Sequence, residues 1–356
     1  PLATIEADLS RRDFTINAMA LRLPALAFVD PYGGIADLAA RRLRTPLTPE
    51  ESFSDDPLRM LRAARFVAQL EVAPAPDLVD AMREQRERLR IVSAERVRDE
   101  LTKMLAYPGA SKGLDLTVET GLADLFLPEL PALRLEQDPI HRHKDVYRHT
   151  LAVLDKIIAS DPETNIPLRI AGLLHDIGKP ATRRYEDGKV SFHHHEVVGA
   201  QMAERRLRDL RFPKETVDTV VQLVEMHLRF HTFRMGWSDS AVRRYVRDAG
   251  PLLDDLNRLV RADCTTRNRF KAKQLESAID ELEERIAHLA AAEDLKRIRP
   301  PLDGNDVMTH LNLKPGPIVG EALSYLLELR LERGEIPRDE AFRLLDEWAA
   351  QRDLKG

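Results

Sequence analysis

Only residues 1–50 of this chain carry the patterning of β structure, and they carry too little of it to build a sheet. Residues 14–21 and 27–29 read as strands on either side of Leu23-Pro24. A turn cluster, Asp30-Pro31-Tyr32-Gly33-Gly34, and a short amphipathic helix from Ala36 to Ala40 follow. Two β segments cannot stand as an independent sheet. Past residue 50 the apolar residues recur at helical spacing. Sixteen glycines in 356 residues, 5% aromatics and recurrent Leu, Ala, Arg and Glu favour the same answer, a mainly α chain.

Helices are expected over 77–90, 93–106 and 110–119, and a further one opens at Asp56-Pro57, a polar cap followed by a first-turn proline. Leu127-Pro128-Glu129-Leu130-Pro131 reads as a boundary. A second helical block runs from about 138 to 292 and closes with an amphipathic helix over 269–289. Arg297-Ile298-Arg299-Pro300-Pro301 breaks the pattern before a last helical segment over 302–356.

The net charge of −5 excludes a bulk electrostatic nucleic-acid binder, so any such role rests on local patches. One cysteine, Cys264, excludes an internal disulfide and suits a reducing cytosol, hence a cytoplasmic location. No apolar run approaches the roughly 20 residues of a membrane helix, so no membrane partner is expected. The chain opens on Pro1-Leu2-Ala3 rather than Met, and the incomplete β pattern leads us to expect further strands upstream.

Chemistry concentrates in two places. His149 lies in a helical run beginning near Asp145; His175-Asp176 sits between Ile170-Ala171-Gly172-Leu173-Leu174 and Ile177-Gly178-Lys179-Pro180; Asp263 follows far downstream. This order resembles the HD family of metal-dependent phosphohydrolases. It implies one divalent ion, of unspecified identity, on His149, His175, Asp176 and Asp263. Imidazoles and carboxylates with open positions suit such an ion. His193, His194 and His195 read as less specific, as do His227 and His231, which would share a helical face at i, i+4.

The second place is a pair of segments, Arg11-Arg12-Asp13-Phe14-Thr15-Ile16-Asn17-Ala18 and Asp55-Asp56-Pro57-Leu58-Arg59. In the latter, Leu58, Leu61, Ala64 and Phe66 give a helix its packed side, while Arg59, Arg62 and Arg65 form a ridge on the other. With the helices that follow, the two segments resemble the class II tRNA nucleotidyltransferase (CCA-adding enzyme) family. Bacterial poly(A) polymerases share that superfamily.

The resemblance runs over nearly the whole chain and implies four parts. These are a remnant of an α+β nucleotidyltransferase head over 1–52, a helical neck over 53–136, an HD-type helical body over 137–292 and a helical tail over 293–356. It implies that Arg12, Asp13 and Asn17 hold the triphosphate and ribose. Asp56 and Arg59 would read the base, with Arg62 and Arg65 on the phosphates. Asp55 departs from the family's usual Glu.

The base-reading chemistry is direct. Cytosine and adenine each place an exocyclic amino donor beside a ring-nitrogen acceptor, which a carboxylate and a guanidinium match. Uracil and guanine invert that pattern. The family's activity would then be addition of C, C and A to tRNA from CTP and ATP, with Mg2+ at the transferring carboxylates. Those form a D-x-D, and no D-x-D occurs in these 356 residues, so the chain alone is expected to be inactive in transfer.

The tRNA acceptor arm would be gripped by backbone and shape, with Arg83, Arg86, Arg88, Arg90, Lys296, Arg297 and Arg299 as candidate contacts. Poly(A) synthesis and A-addition alone fit the same base reading. An HD phosphohydrolase acting on phosphomonoesters or 2′,3′-cyclic phosphates would leave Arg12, Asp13, Asn17 and the arginine ridge unexplained. A purely RNA-binding module would leave the His–Asp residues unexplained.

Overall fold

Helices account for most of the chain, in a computed structural model that describes residues 4–135, 145–186, 189–265, 269–295, 298–352 and 354. The strands among the described residues form isolated pairs. Ala20–Arg22 runs antiparallel to Ala27–Val29, Arg42–Leu43 parallel to Ala73–Pro74, and Arg184–Glu186 antiparallel to Lys189–Ser191. The mainly α class is as expected.

The expected strand over 14–21 is shorter than its pattern. Residues Thr15–Asn17 form a 3-10 turn, and extended pairing begins only at Ala20. Asn17 explains this, because its Oδ1 accepts the Phe14 N–H at 3.1 Å and so bends the backbone locally. The expected helix over 77–90 likewise divides into an α-helix, Pro76–Gln85, and a 3-10 segment, Arg86–Ile91.

The chain divides into two units, Pro1–His227 and Leu228–Gly356. In the first, the helix Leu58–Leu70 packs against Ala94–Leu105 and Ala110–Glu119. A Cβ on Gly113 would lie 2.5 Å from the Ala64 carbonyl oxygen, so a side chain there would force these two helices apart. Met60 and Ala63 are buried beside the expected Leu58, Leu61 and Ala64, and Phe66 meets Phe14 edge-to-face at 5.2 Å. Arg59, Arg62 and Arg65 lie half-buried against neighbouring segments.

The helix Ile166–Leu174 is buried from Leu168 to Leu174 and packs against Val146–Ala159 and Lys214–Met226. A helix apolar on every face belongs inside a protein. Its one charge, Arg169, is satisfied by Asp161 Oδ2 at 2.9 Å and by the Leu105 carbonyl at 2.8 Å. His175 and Asp176 emerge directly from the end of this helix.

In the second unit the helices Gly304–Leu311, Pro317–Arg333 and Arg338–Ala350 close on a core that includes Leu326, Leu345 and Trp348. Glu293 is buried between Arg243 and Arg330. No helix among the described residues is long and apolar enough to cross a membrane.

Candidate functional site

Two clusters of chemistry-bearing side chains lie in the first unit. One is organised by Asp13, which is 8% exposed where the chain turns from the helix Ile5–Ser10 into the 3-10 turn. Arg62 pairs with Asp13 Oδ2, and Arg59 Nε lies 3.5 Å from Oδ1. Arg59 is held further by Ser52, to whose Oγ its Nη1 donates at 3.0 Å, and by the Arg11 carbonyl, to which Nη2 donates. Asp56 stands at the head of the same helix, its carbonyl accepting the Arg59 N–H at 3.0 Å. Its Oδ1 accepts the Leu58 N–H at 3.1 Å and its Oδ2 accepts from Arg96 Nη2 at 3.1 Å.

Asp13, Arg59 and Arg62 thus come together, with Asp56 one helical turn before Arg59. Arg65 turns elsewhere, donating to Glu100 at 2.6 Å and Gln69 at 3.0 Å with its guanidinium over the Phe66 ring. Asn17 serves the backbone turn, and Arg12 reaches Asp8 at 3.5 Å in the open. Sequence reasoning missed Ser52, Arg96 and Glu100. The last two were legible only as a charged pair at i, i+4 in the helix Ala94–Leu105.

The other cluster is organised by Asp176, whose two oxygens face different ways. Oδ2 lies 3.5 Å from His149 Nε2, 3.3 Å from His175 Nε2 and 2.7 Å from Lys179 Nζ; Oδ1 lies 3.4 Å from His195 Nε2. His149 and His175 face each other Nε2 to Nε2 at 3.3 Å. His227 completes a second triad with Asp176 and His195, all five side chains being buried.

The rings are oriented by their own backbone. Nδ1 of His175, His195 and His227 donates to the carbonyls of Gly172 (2.8 Å), Phe192 (2.8 Å) and Val224 (2.6 Å). A carbonyl only accepts, so each Nδ1 carries a proton and each ring turns its Nε2 inward, where a ring in its neutral form offers a lone pair. Lone pairs converging on a buried carboxylate are what a divalent cation requires, so the donor set fits a metal. Burial alone would raise the Asp176 pKa. The charge of His175, with His195 and Lys179, outweighs it and holds the carboxyl well below the usual carboxylate range.

Gly178 allows this approach, since a Cβ there would lie 2.2 Å from the His195 carbonyl oxygen. His195 and His227 had little signal in the sequence, where neither sits at ligand spacing from His175. His227 and His231 do not share a helix. The helix ends at Met226, a 3-10 segment spans Arg229–Met235, and His231 belongs to the second unit. There Asp263, at the end of Leu253–Asp263, lies 3.8 Å from His231.

Of the candidate RNA contacts, Arg83 and Arg90 pair with Asp80 and Glu87 at 2.7 Å, and Arg86 lies 3.7 Å from Glu87. Arg88 donates to the Ser54 carbonyl at 2.8 Å, and Arg299 is exposed. Lys296 and Arg297 lie outside the described residues.

Residues 2–44 match the poly A polymerase head domain. Residues 72–133 match the "Probable RNA and SrmB- binding site of polymerase A", and residues 146–290 the HD domain. An A-adding tRNA nucleotidyltransferase of Deinococcus radiodurans is 39% identical over 98% of this chain and 80% of its own length. A CC-adding tRNA nucleotidyltransferase of Thermus thermophilus is 34% identical over 99% and 79%. The Bacillus stearothermophilus CCA-adding enzyme, solved in complex with CTP, superposes with a TM-score of 0.67 at 24% identity, over 99% of this chain and 76% of that one. The chain belongs to the tRNA nucleotidyltransferase family and carries its HD domain. Family and domain together imply dependence on a divalent metal.

Proposed function

We propose that this chain selects CTP and ATP for addition of C, C and A to the 3′ end of tRNA without a nucleic-acid template. The observation that carries this reading is the placement of Asp56 and Arg59 at the head of one helix, with Asp13 against both Arg59 and Arg62. Asp56 would accept from the exocyclic amine of C or A and Arg59 would donate to the adjacent ring nitrogen. Uracil or guanine would leave both groups without a match.

The two similar tRNA nucleotidyltransferases, one adding A and the other CC, support both bases and a tRNA acceptor arm. Arg12, Asp13 and Asn17 are assigned to triphosphate and ribose, and Arg62 and Arg65 to phosphate. Arg83, Arg86, Arg88, Arg90, Lys296, Arg297 and Arg299 are assigned to RNA. Mg2+ is the ion assigned to nucleotidyl transfer, and the cytoplasm the location. Equilibrium binding to the chain tests the selection, with CTP and ATP expected to bind more tightly than UTP and GTP. Equal affinity for all four would overturn it.

A second reading is favoured by the buried His–Asp cluster: a metal-dependent phosphohydrolase acting on phosphomonoesters or 2′,3′-cyclic phosphates. His149, His175 and Asp176 would hold the ion, joined by His195 and His227 through the other oxygen of Asp176, with Asp263 retained as a candidate ligand. A bound divalent ion supplies Lewis acidity and a lowered pKa for bound water. The chain's own contribution is to fix three rings by their Nδ1 bonds and to hold Lys179 against Asp176. Release of phosphate from a generic phosphomonoester on metal addition, absent in Asp176→Ala, supports it; no release with any divalent metal overturns it.

A further inference from the structure

Resting on the reading of Asp56 and Arg59 given above, we propose that Arg96 is a positioning residue for base selection, holding the Asp56 carboxylate in the orientation that reads a base edge. Asp56 sits between the helices Pro49–Asp55 and Leu58–Leu70 with an extended backbone (φ −141°, ψ 101°). Its Oδ1 is tied to the Leu58 N–H, so the partner of Oδ2 decides where the carboxylate plane points. That partner is Arg96 Nη2, 40 residues away in the sequence, at 3.1 Å.

Arg96 is itself well placed. It lies in the first turn of the helix Ala94–Leu105, and its N–H caps onto Ser93 Oγ at 3.4 Å. One turn further, Glu100 receives Arg65 at 2.6 Å. Arg96 and Glu100 share a helix face at i, i+4, so this helix meets the segment Asp56–Arg65 through two ion pairs of opposite polarity. Sliding it by one turn would bring Glu100 toward Asp56, like charge against like. The alternation therefore fixes the register at which Arg96 finds Asp56.

Arg59, the other half of the base reader, is held separately by Ser52, the Arg11 carbonyl and Asp13. Arg96 thus acts on the carboxylate alone. A carboxylate oxygen has two acceptor sites, so Oδ2 can keep Arg96 and still accept an exocyclic amine. The Arg96–Asp56 pair is largely open to solvent, 54% and 31% for the two side chains, so it adds little to stability. Its effect belongs to selectivity.

The experiment is equilibrium binding of CTP, UTP, ATP and GTP to the chain and to its Arg96→Gln, Arg96→Lys and Asp56→Ala variants, with a thermal melt of each. Arg96→Gln is expected to narrow the CTP-over-UTP and ATP-over-GTP preferences roughly three- to tenfold, the worth of about one hydrogen bond, at an unchanged melting temperature. Arg96→Lys is expected to recover part of the preference, and Asp56→Ala to abolish it. Preferences unchanged in Arg96→Gln but abolished in Asp56→Ala overturn the role of Arg96 and leave the base reading intact. Preferences unchanged in both overturn the base reading itself. Loss of preference together with a large fall in melting temperature in Arg96→Gln assigns Arg96 a merely structural role and overturns the proposal.

Discussion

The Asp13 carboxylate is paired with Arg62, and through its other oxygen it lies 3.5 Å from Arg59, so a residue of the N-terminal segment fastens two arginines of the helix Leu58–Leu70. On the proposed reading Asp13 faces ribose and Arg59 faces base. Sugar and base recognition would then share one ion-pair cluster instead of acting separately.

Asp13→Ala leaves two half-buried guanidiniums without their carboxylate. We expect a loss of about 1–3 kcal/mol of stability, read by urea unfolding. A narrower preference for CTP over dCTP should accompany a narrower preference for CTP over UTP. A variant that loses the sugar preference and keeps the base preference intact would show that the two are uncoupled.

Asp176→Ala removes the only carboxylate shared by the two His triads among the described residues. Elemental analysis of metal-replete protein should show at least one divalent ion per chain, falling to none in this variant. Retention of metal by Asp176→Ala would mean that the ligands lie elsewhere.

Gly178→Ala places a methyl group where only 2.2 Å separates it from the His195 carbonyl oxygen. The helix His195–Asp209 must shift, carrying His195 from Asp176. We expect a destabilisation of about 1–3 kcal/mol, as for overpacking elsewhere, together with weaker metal retention on dialysis. Wild-type stability and metal content in this variant would show that the approach can relax.

Asp37 is buried and receives hydrogen bonds from Thr15 Oγ1 at 2.7 Å, Arg42 Nε at 2.8 Å and Arg44 Nε at 2.9 Å. Burial alone would raise its pKa, but Arg44, Thr15 and Arg42 outweigh that and leave it lowered. A carboxyl depressed in the folded state contributes stability in full above its unfolded value, about 3.9, and loses it as pH falls through the folded value. Asp37→Asn should therefore be less stable than wild type at pH 7. The difference should shrink below about pH 4 in urea titrations. A difference independent of pH would exclude the charge of Asp37 as its source.

The mainly helical fold was legible because helical spacing and composition agree from residue 50 onward, and His175-Asp176 was legible because an apolar run and a Gly-Lys turn bracket it. What stayed hidden is non-local. Ser52 and Arg96 matter by touching Arg59 and Asp56 across a helix junction, which neither Ser52's surroundings nor the i, i+4 charge pair of Arg96 with Glu100 records. His195 reaches Asp176 where Gly178 lets its helix come close, and His227 joins them from the end of another helix, contacts with no sequence period. The strand misread at residues 15–17 has a local cause, Asn17 capturing the Phe14 N–H, which an alternating apolar pattern does not record.

The measurement that bears most directly on base reading by Asp56 is the ratio of CTP to UTP affinity in the chain and in Asp56→Ala. We expect the preference for CTP to disappear in the variant while affinity for the shared triphosphate falls by less than about tenfold. An unchanged ratio would contradict the account.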